Sequence, residues 1–367
     1  MIYLTHARTL CTEDTEVFDN IGYPQKVHWF PWSYKNIKTG LVCPPHKLAD
    51  QVLDTAVIEA IKDKPGKTAF ILAAGNANFA AEGRVLEDKN HLSYQYKFLP
   101  LSLTQVYAGR VASMFGKVDY VVTDSTACAS SLKVLMDVQS LMKLYGYDRV
   151  IVLAVEDQVN NMTLQFFGES GASLTEKMAQ EHDVVPSAFD SKNFGFYLGQ
   201  GAALAVFEKD THTTETPLAE LVSAYTASES EVNAIGQRED GQGFVDAIRG
   251  SMHLASIRYS DITVVKTHGT GTKSNNQAER AALDKMLSKG GFVATSYKQR
   301  IGHTMGASGL LESILLLKDT HVPAILNRTE YDSTFLSESV TKPKGLMLSL
   351  AAGMGNVYSA AIFKQEM

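Results

Sequence analysis

Short apolar runs alternate along the chain with longer segments in which apolar residues recur every three or four positions. The short runs are typical of buried strands, and the longer period is typical of helices that bury one face. The runs predict ten strands, at residues 1–5, 68–73, 118–122, 149–155, 202–207, 220–225, 262–267, 292–295, 345–350 and 359–363. The periodic segments predict six helices, at residues 49–62, 103–115, 128–145, 241–255, 276–288 and 307–320. This alternation indicates an α/β protein with mixed sheets covered by helices.

The predicted strands divide into two sets of five, separated by a joint near residues 209–216. We therefore expect two similar halves, residues 1–210 and 211–367, each with a mixed five-stranded sheet. The similarity is one of layout, because no repeated sequence accompanies it. Residues 157–194 are largely polar, which predicts irregular surface and cleft structure there.

Composition narrows the classes of protein that fit. The 367 residues are 45 % hydrophobic and 20 % charged, as in ordinary globular proteins. A net charge of -6 without a basic run argues against nucleic acid as the main partner. No apolar stretch approaches the roughly 18 residues of a membrane-spanning helix, and the first residues lack a signal-peptide pattern. Three unclustered cysteines (Cys11, Cys43 and Cys128) argue against a disulfide framework or a zinc site and favour a reducing cytoplasm.

Cys128 lies where a predicted strand turns into a predicted helix, in the sequence Thr-Ala-Cys-Ala-Ser-Ser at residues 126–131. The positive end of a helix favours thiolate, which is the nucleophilic form of cysteine. Small neighbours admit a bulky thioester and let backbone N–H groups face an oxyanion. A buried structural cysteine is the alternative. The turn, together with two histidine loops downstream, favours a covalent acyl site.

The first histidine loop is Thr-His-Gly-Thr-Gly-Thr at residues 267–272, directly after a predicted strand. Glycines there allow close backbone approach, and the hydroxyls of Thr270 and Thr272 can bond an extended substrate arm that carries amides. Alternatively, His268 is a core-edge histidine beside a tight turn. No dinucleotide or P-loop pattern follows a strand, so a phosphate-binding loop is not indicated.

The second histidine loop is Gly-His-Thr-Met-Gly-Ala-Ser-Gly at residues 302–309, which leads into an apolar helix. Glu312 falls on that helix and could pair with Lys298. The alternative is a glycine-rich helix start beside a solvated lysine. Small-residue loops that carry Cys128, His268 and His303 in this order favour a shared active site.

These three loops resemble, in content and in order, the active-site motifs of the β-ketoacyl synthase branch of the thiolase superfamily. Lys298 stands five residues before His303, as the lysine of that family does, so the resemblance implies a catalytic role for Lys298 with Glu312 supporting it. Residues 186–201 resemble the segment after the nucleophile region. The resemblance covers about residue 45 to the last residue. It implies a thiolase-like fold in which two similar halves form α-β-α-β-α layers.

The resemblance also implies a reaction, the decarboxylative Claisen condensation of a 3-oxoacyl-[acyl-carrier-protein] synthase in fatty-acid or polyketide-like elongation. Cys128 would carry the acyl group, and His268 and His303 would stabilise the enolate formed from a malonyl thioester. Two histidines imply the elongating type. The oxyanion hole would comprise the backbone N–H groups of Cys128 and Met354.

Partners and binding residues follow from the same resemblance. It implies no metal and no cofactor bound by the protein, with phosphopantetheine delivered on an acyl carrier protein. Thr270 and Thr272 would contact that arm, and Phe167 would line the acyl pocket. The strand at 118–122 would pair with its copy in a homodimer, and a heterodimer with a ketosynthase-like chain-length partner remains open.

Two positions depart from the family pattern. The family's Gly-Phe-Gly-Gly-x-Asn motif reads Gly-Met-Gly-Asn-Val-Tyr from residue 353, so Met354 replaces the aromatic acyl gate. Methionine is flexible, which predicts a looser gate and a specialised synthase. The acidic residue often found after the first histidine loop is Asn276 here, although Glu279 remains.

Two other functions are compatible with parts of this pattern. One is a non-condensing acyltransferase or thioesterase that uses Cys128, although hydrolysis needs only one base. The other is a partner subunit that sets chain length for a synthase, although such partners typically lose the nucleophile.

Cys128→Ala tests the nucleophile. We expect the variant to form no acyl adduct with a carrier-bound acyl thioester, because the attacking sulfur is gone. Intact-protein mass spectrometry measures the adduct, and Cys11→Ala is the control that should still form it. An unchanged adduct on Cys128→Ala would move the chemistry to Cys11 or Cys43.

Overall fold

The computed structural model describes residues 1–11, 52–62, 64–75, 103–156, 161–174, 187–190, 192–209, 216–229, 235–287, 291–325 and 338–365. The strands in these ranges are β1 (Ile2–Leu10), β2 (Thr68–Ala73), β3 (Tyr120–Asp124), β4 (Arg149–Glu156), β5 (Gly201–Lys209), β6 (Ala219–Ser228), β7 (Ile262–Lys266), β8 (Val293–Thr295), β9 (His321–Val322), β10 (Val340–Thr341), β11 (Leu346–Gly353) and β12 (Val357–Lys364). The α-helices are α1 (Thr55–Lys62), α2 (Thr104–Ala112), α3 (Ser130–Lys143), α4 (Asn161–Glu169), α5 (Gln242–Ala255), α6 (Lys273–Leu287), α7 (Lys298–Ile301) and α8 (Ser308–Lys318).

The two halves have the same strand topology. The sheet runs β3-β2-β4-β5-β1-β6-β12-β11-β7-β8. Counting only the strands of this sheet, which excludes β9 and β10, the order in each half from the outer edge inward is third, second, fourth, fifth and first along the chain. In each half the outer three strands are mutually parallel and the remaining pairings are antiparallel. The predicted pair of similar five-stranded halves is thus confirmed, while the boundary at residue 210 stays a prediction.

The halves are joined more closely than the sequence indicated. Strands β1 and β6 pair antiparallel through Tyr3 with Glu220 and Leu4 with Ala219, which makes one continuous sheet of ten strands. Among the described strands, only these two residue pairs join the halves, whereas β1 pairs along its length with β5 on its other edge.

Apolar side chains form three main cores, and these define the predicted helix and sheet layers. The central core is shared by both halves and contains the buried faces of α3 and α8. A second core lies under α5 and α6 on the second half, and a third lies under α1 and α2 on the first half. The layers are therefore helix, sheet, helix, sheet, helix, as the resemblance implied. The two sheet layers are the two halves of the one continuous sheet.

Most predicted elements are present with shifted ends. The nucleophile helix begins at Ser130 rather than at residue 128, because a 3₁₀ turn at Ala127–Ala129 precedes it. The helix predicted at 49–62 begins at Thr55, where the Asp54 carboxylate accepts a hydrogen bond from the backbone N–H of Ala56, and residues 49–51 lie outside the described ranges.

The prediction of irregular structure throughout residues 157–194 is wrong, since α4 lies within it. Polar residues and Gly168 interrupt the apolar period of this helix, which hid it from the pattern. Strands β9 and β10 have two residues each and pair with one another, so they are too short to leave a signal.

The two central helices begin next to one another. The turn Ala127–Ala129 leads into α3, and the turn Met305–Ala307 leads into α8. The two helix starts are tied together, because the backbone N–H of Leu310 donates to Ser131 Oγ at 3.0 Å. The third strand of each half thus feeds a helix whose first turn faces that of the other half.

Candidate active site

Cys128 lies in the middle of the turn that precedes α3. Ala127 adopts a left-handed backbone conformation with φ of 49°, which is strained for a residue with a side chain. Ser130 Oγ supports the turn, accepting from the N–H of Thr126 at 2.9 Å and donating to the carbonyl of Ala127 at 2.6 Å. The thiol is held in place and only 8 % exposed.

Met305 covers the thiol from the opposite turn. Its Sδ lies 3.7 Å from Cys128 Sγ, and its φ of 42° is also left-handed. Phe167, Phe196 and Leu198 complete a small apolar cluster around the two sulfur atoms. The structure thus places Phe167 beside the nucleophile, while its contact with an acyl chain stays a prediction.

Burial dominates the chemistry of Cys128. Desolvation, with a contribution from the nearby Glu156 carboxylate, raises the pKa of the thiol to about 12, and the Lys298 ammonium opposes the rise. The expectation of a thiolate at the helix start is therefore wrong for the free protein, because loss of water outweighs the favourable helix end. The sulfur needs a proton acceptor when it attacks.

His268 and His303 form an edge-to-face pair. Their ring centroids lie 5.5 Å apart at an interplanar angle of 81°, and the ring of Phe196 lies 4.8 Å from His303. Desolvation lowers the pKa of both histidines well below the usual 6.5, assisted by the Lys298 ammonium. Both imidazoles are neutral at pH 7, and no described residue hydrogen-bonds either buried Nδ1 atom.

An extended segment, residues 194–199, connects the site's loops across the two halves. The backbone N–H of His303 donates to the carbonyl of Tyr197 at 2.6 Å, which fixes the second histidine loop. The N–H of Gly195 donates to the carbonyl of Gly271 at 3.1 Å, which fixes the first. Phe196 from this segment packs beside Cys128. Backbone hydrogen bonds therefore bring the nucleophile cluster and both histidines together.

Glu279 and Asn276 shape the first histidine loop from α6. The two carboxylate oxygens of Glu279 accept from the N–H groups of His268 at 2.5 Å and Gly269 at 2.9 Å. The side-chain oxygen of Asn276 accepts from the N–H of Phe189 at 2.9 Å. Asn276 thus bridges to the neighbouring segment as a neutral amide, and Glu279 is the acid that orders the loop.

Lys298 and Glu312 form the ion pair that the sequence predicted. Lys298 Nζ lies 2.8 Å from Glu312 Oε1, and both side chains are almost fully buried. The structure adds a second cation, because Lys266 Nζ lies 3.2 Å from Glu312 Oε2. One carboxylate therefore serves two buried ammonium groups.

The remaining predicted residues lie nearby but are not shown to act. Thr270 and Thr272 bond to each other through their hydroxyls at 3.0 Å. Met354 follows β11, where the backbone at Gly353 packs so tightly against the carbonyl of Thr126 that a Cβ would collide with it. The Met354 side chain is 40 % exposed, and Met305 is the methionine that covers the thiol. The roles of Thr270, Thr272 and Met354 stay predictions.

Sequence reasoning missed Lys266 and Met305. Lys266 carried a signal, because it is a charged residue that ends an otherwise apolar strand two positions before His268. Side chains alternate between the two faces of a strand, so residues two positions apart, such as Lys266 and His268, are expected on the same face. Met305 carried none that separates it from an ordinary core methionine, since its contact with Cys128 depends on how the two halves meet.

The fold and this cysteine–histidine–histidine site define a thiolase-like class of α/β protein, and family profiles match both halves of the chain. The profile described as "Beta-ketoacyl synthase, N-terminal domain" matches residues 46–212, and "Beta-ketoacyl synthase, C-terminal domain" matches residues 218–329. Together they cover more than half of the chain. The chain belongs to the β-ketoacyl synthase family.

Individual relatives are distant. The chain is 29 % identical over 241 residues to a "3-oxoacyl-[acyl-carrier-protein] synthase homolog" of Saccharomyces cerevisiae, covering 63 % of this chain and 53 % of that protein. It is 25 % identical over 289 residues to "3-oxoacyl-[acyl-carrier-protein] synthase 2" of Vibrio harveyi, covering 76 % and 69 %. The chain spans about half the length of the Saccharomyces cerevisiae relative, 53 %, and of the "Putative 3-oxoacyl-[acyl-carrier-protein] synthase, mitochondrial" of Schizosaccharomyces pombe, 55 %.

Solved structures support the fold. A type II polyketide ketosynthase, in complex with its acyl-carrier protein, matches with a TM-score of 0.81 at 18 % identity, covering 100 % of this chain and 99 % of that chain. A β-ketoacyl synthase from Burkholderia phymatum STM815 matches with a TM-score of 0.78 at 19 % identity, covering 100 % and 99 %. Across the described residues, none of the helices combines the length and the apolar character that a membrane crossing requires.

Met305→Ala tests whether Met305 shields the nucleophile. We expect iodoacetamide to alkylate Cys128 several-fold faster in this variant, because the thioether no longer covers the sulfur. Peptide mass spectrometry at fixed pH measures the rate, and Met305→Leu, which conserves volume, is the control that should stay slow. Met354→Ala gives the direct comparison. If it accelerates alkylation and Met305→Ala does not, the gate lies at residue 354.

Proposed function

We propose that this chain is a carrier-protein-dependent β-ketoacyl synthase that condenses an acyl thioester with a malonyl thioester in fatty-acid or specialised, polyketide-like elongation. The observation that carries the proposal is the pair of neutral, buried imidazoles of His268 and His303, held beside the apolar cluster around Cys128. An acyltransferase or thioesterase would need one base, whereas two neutral donors suit an enolate.

The first step loads the acyl group. Cys128 Sγ attacks the thioester carbonyl, its proton passes by way of a neutral imidazole to the departing carrier thiol, and the acyl–Sγ bond forms. A protonated resting thiol suits this sequence, because the sulfur becomes reactive only when a substrate and a base are both in place. Met305 must move aside during loading, and methionine has the flexibility to do so.

The second step makes the carbon–carbon bond. The malonyl carboxylate leaves as carbon dioxide, and its bonding electrons form an enolate whose oxygen takes hydrogen bonds from His268 and His303. The enolate carbon then attacks the acyl carbonyl and releases the Cys128 sulfur, which regains a proton. Backbone N–H groups of Cys128 and Met354 are the proposed oxyanion donors for that attack.

An acyl carrier protein is the proposed partner, with phosphopantetheine as the delivered arm and no metal or cofactor resident in the protein. The hydroxyls of Thr270 and Thr272 bond to one another in the free protein, so an incoming amide can exchange with that bond. One solved neighbour is described as a ketosynthase in complex with its acyl-carrier protein, and another as a ketosynthase in complex with its chain length factor. The cytoplasm is the proposed location.

We further propose a homodimer through β3, with a chain-length partner as the heterodimeric alternative. Among the described strands β3 is an outer edge of the sheet, and Tyr120 on it is 42 % exposed. An exposed edge strand favours pairing with another strand. Sedimentation at micromolar concentration should give a dimer, and Val121→Pro, which removes an edge N–H, should weaken it. A monomeric wild-type chain would contradict the homodimer.

His268→Ala and His303→Ala test the condensation chemistry. Each variant should decarboxylate malonyl-carrier protein about 10²–10³-fold more slowly, because one donor to the enolate is lost. The acyl adduct on Cys128 should still form in at least one of the two. Wild-type activity should persist below pH 6.5, since lowered pKa values keep both rings neutral there.

His253→Ala is the matched control, because His253 is exposed on α5, and it should retain full activity. Near-normal condensation by both site variants would rule out the two-histidine mechanism. Hydrolysis of the acyl thioester without decarboxylation would instead favour a thioesterase.

A further inference from the structure

Lys266 is a buried lysine that no step of the proposed reaction uses. It ends β7, its side chain is fully buried, and its Nζ donates to Glu312 Oε2 at 3.2 Å and to the backbone carbonyl of Leu350 at 2.8 Å. The other oxygen of Glu312 accepts from Lys298 at 2.8 Å. Each oxygen of one carboxylate therefore binds a different lysine.

We propose that Lys266 is a positioning residue that orients Glu312 toward Lys298 and holds a positive potential on both site imidazoles. The inference rests on the proposed function for its kinetic consequence. Its electrostatic part concerns the protonation of His268 and His303 and can be measured without catalysis.

The geometry supports the positioning role. A carboxylate that pairs with one lysine can rotate and present either oxygen. With Oε2 engaged by Lys266, that rotation would break a buried hydrogen bond and leave a buried polar group unpaired. Lys266 is itself fixed by the Leu350 carbonyl, and β7 pairs in parallel with β11 at Ser349. Glu312 is therefore anchored to the sheet as well as to its helix.

The electrostatics support the second role. The charged and titratable groups around Lys266 are Glu312 on α8, Lys298 on α7, Glu279 on α6, and the two histidines. Burial lowers the pKa of Lys266, and the Glu312 carboxylate opposes that change. Lys266 in turn contributes to lowering the pKa of both histidines, after burial and Lys298 for His303, and after burial, Lys298 and His303 for His268. A second buried cation is costly, so it persists only where carboxylates compensate it.

A purely structural clamp is the competing explanation, since Lys266 also links β7, β11 and α8. The two explanations differ in what a neutral replacement changes. Loss of a clamp lowers stability alone. Loss of a positive potential also raises the histidine pKa values, because a nearby cation disfavours the imidazolium ion.

The test compares Lys266→Met, which is apolar and of similar length, with Lys266→Arg, which keeps the charge. Histidine pKa values are measured by NMR titration, with His268→Ala and His303→Ala spectra to assign the signals. In Lys266→Met both pKa values should rise, on the order of one unit for removal of a nearby cation. The acid limb of the pH profile for decarboxylation of malonyl-carrier protein should move to higher pH by the same amount. In that reaction kcat should fall by a larger factor than KM changes. Lys266→Arg should restore the wild-type titration.

Lys64→Met is the matched control, because Lys64 Nζ also pairs with a glutamate, Glu208, at 3.1 Å but in the first half's sheet. It should lower the Tm and leave both histidine titrations unchanged. If Lys266→Met lowers the Tm but moves neither pKa, the inference is overturned. If the pKa values rise while wild-type protein fails to decarboxylate malonyl-carrier protein, the electrostatic inference holds and the proposed function fails.

Discussion

The pairing of buried charge at Glu312 is the constraint on which the rest of the site depends. A carboxylate and two ammonium groups in a dry interior are tolerated only while each keeps its partner. This requirement fixes α7, a single helical turn that could not persist alone, against α8 and the end of β7. Because Lys298 lies in α7 and His303 follows it, the same ion cluster positions the second histidine loop. Stability and chemistry therefore depend on one set of contacts.

Loss of water has two opposite effects on the pKa values at the site, and both suit the proposed reaction. It raises the pKa of Cys128 and lowers the pKa of His268 and His303, so the sulfur stays protonated and the rings stay neutral. A neutral imidazole can accept the thiol proton during loading and can later donate to an enolate without first losing a proton to solvent. The free protein therefore does not have to keep a thiolate or an imidazolium ion in this dry site. Charge develops there only when a substrate is bound.

The sequence allowed much of the fold to be predicted, because buried strands such as β2 and β4 are continuous apolar runs. The clustering of Cys128, His268 and His303 was also predictable, since each follows a strand or precedes a helix in a loop of small residues, while their catalytic roles stay predictions. Contacts between distant segments were not. Residues 194–199 show no regular period, yet their backbone hydrogen bonds to Gly271 and His303 assemble the site. Met305 covers Cys128 only because two turns from different halves meet.

The repeated topology explains why those turns meet. In each half, a 3₁₀ turn whose first residue has positive φ, Ala127 or Met305, precedes a central helix. At the end of β4, Glu156 accepts a hydrogen bond from the N–H of Gly306 in the second half's turn, while the end of β11 at Gly353 packs against the first half's turn. The exchange is reciprocal, so neither turn is complete without the other half. A substitution at either strand end should therefore act on both the nucleophile and its cover, and the site belongs to the paired halves rather than to either one.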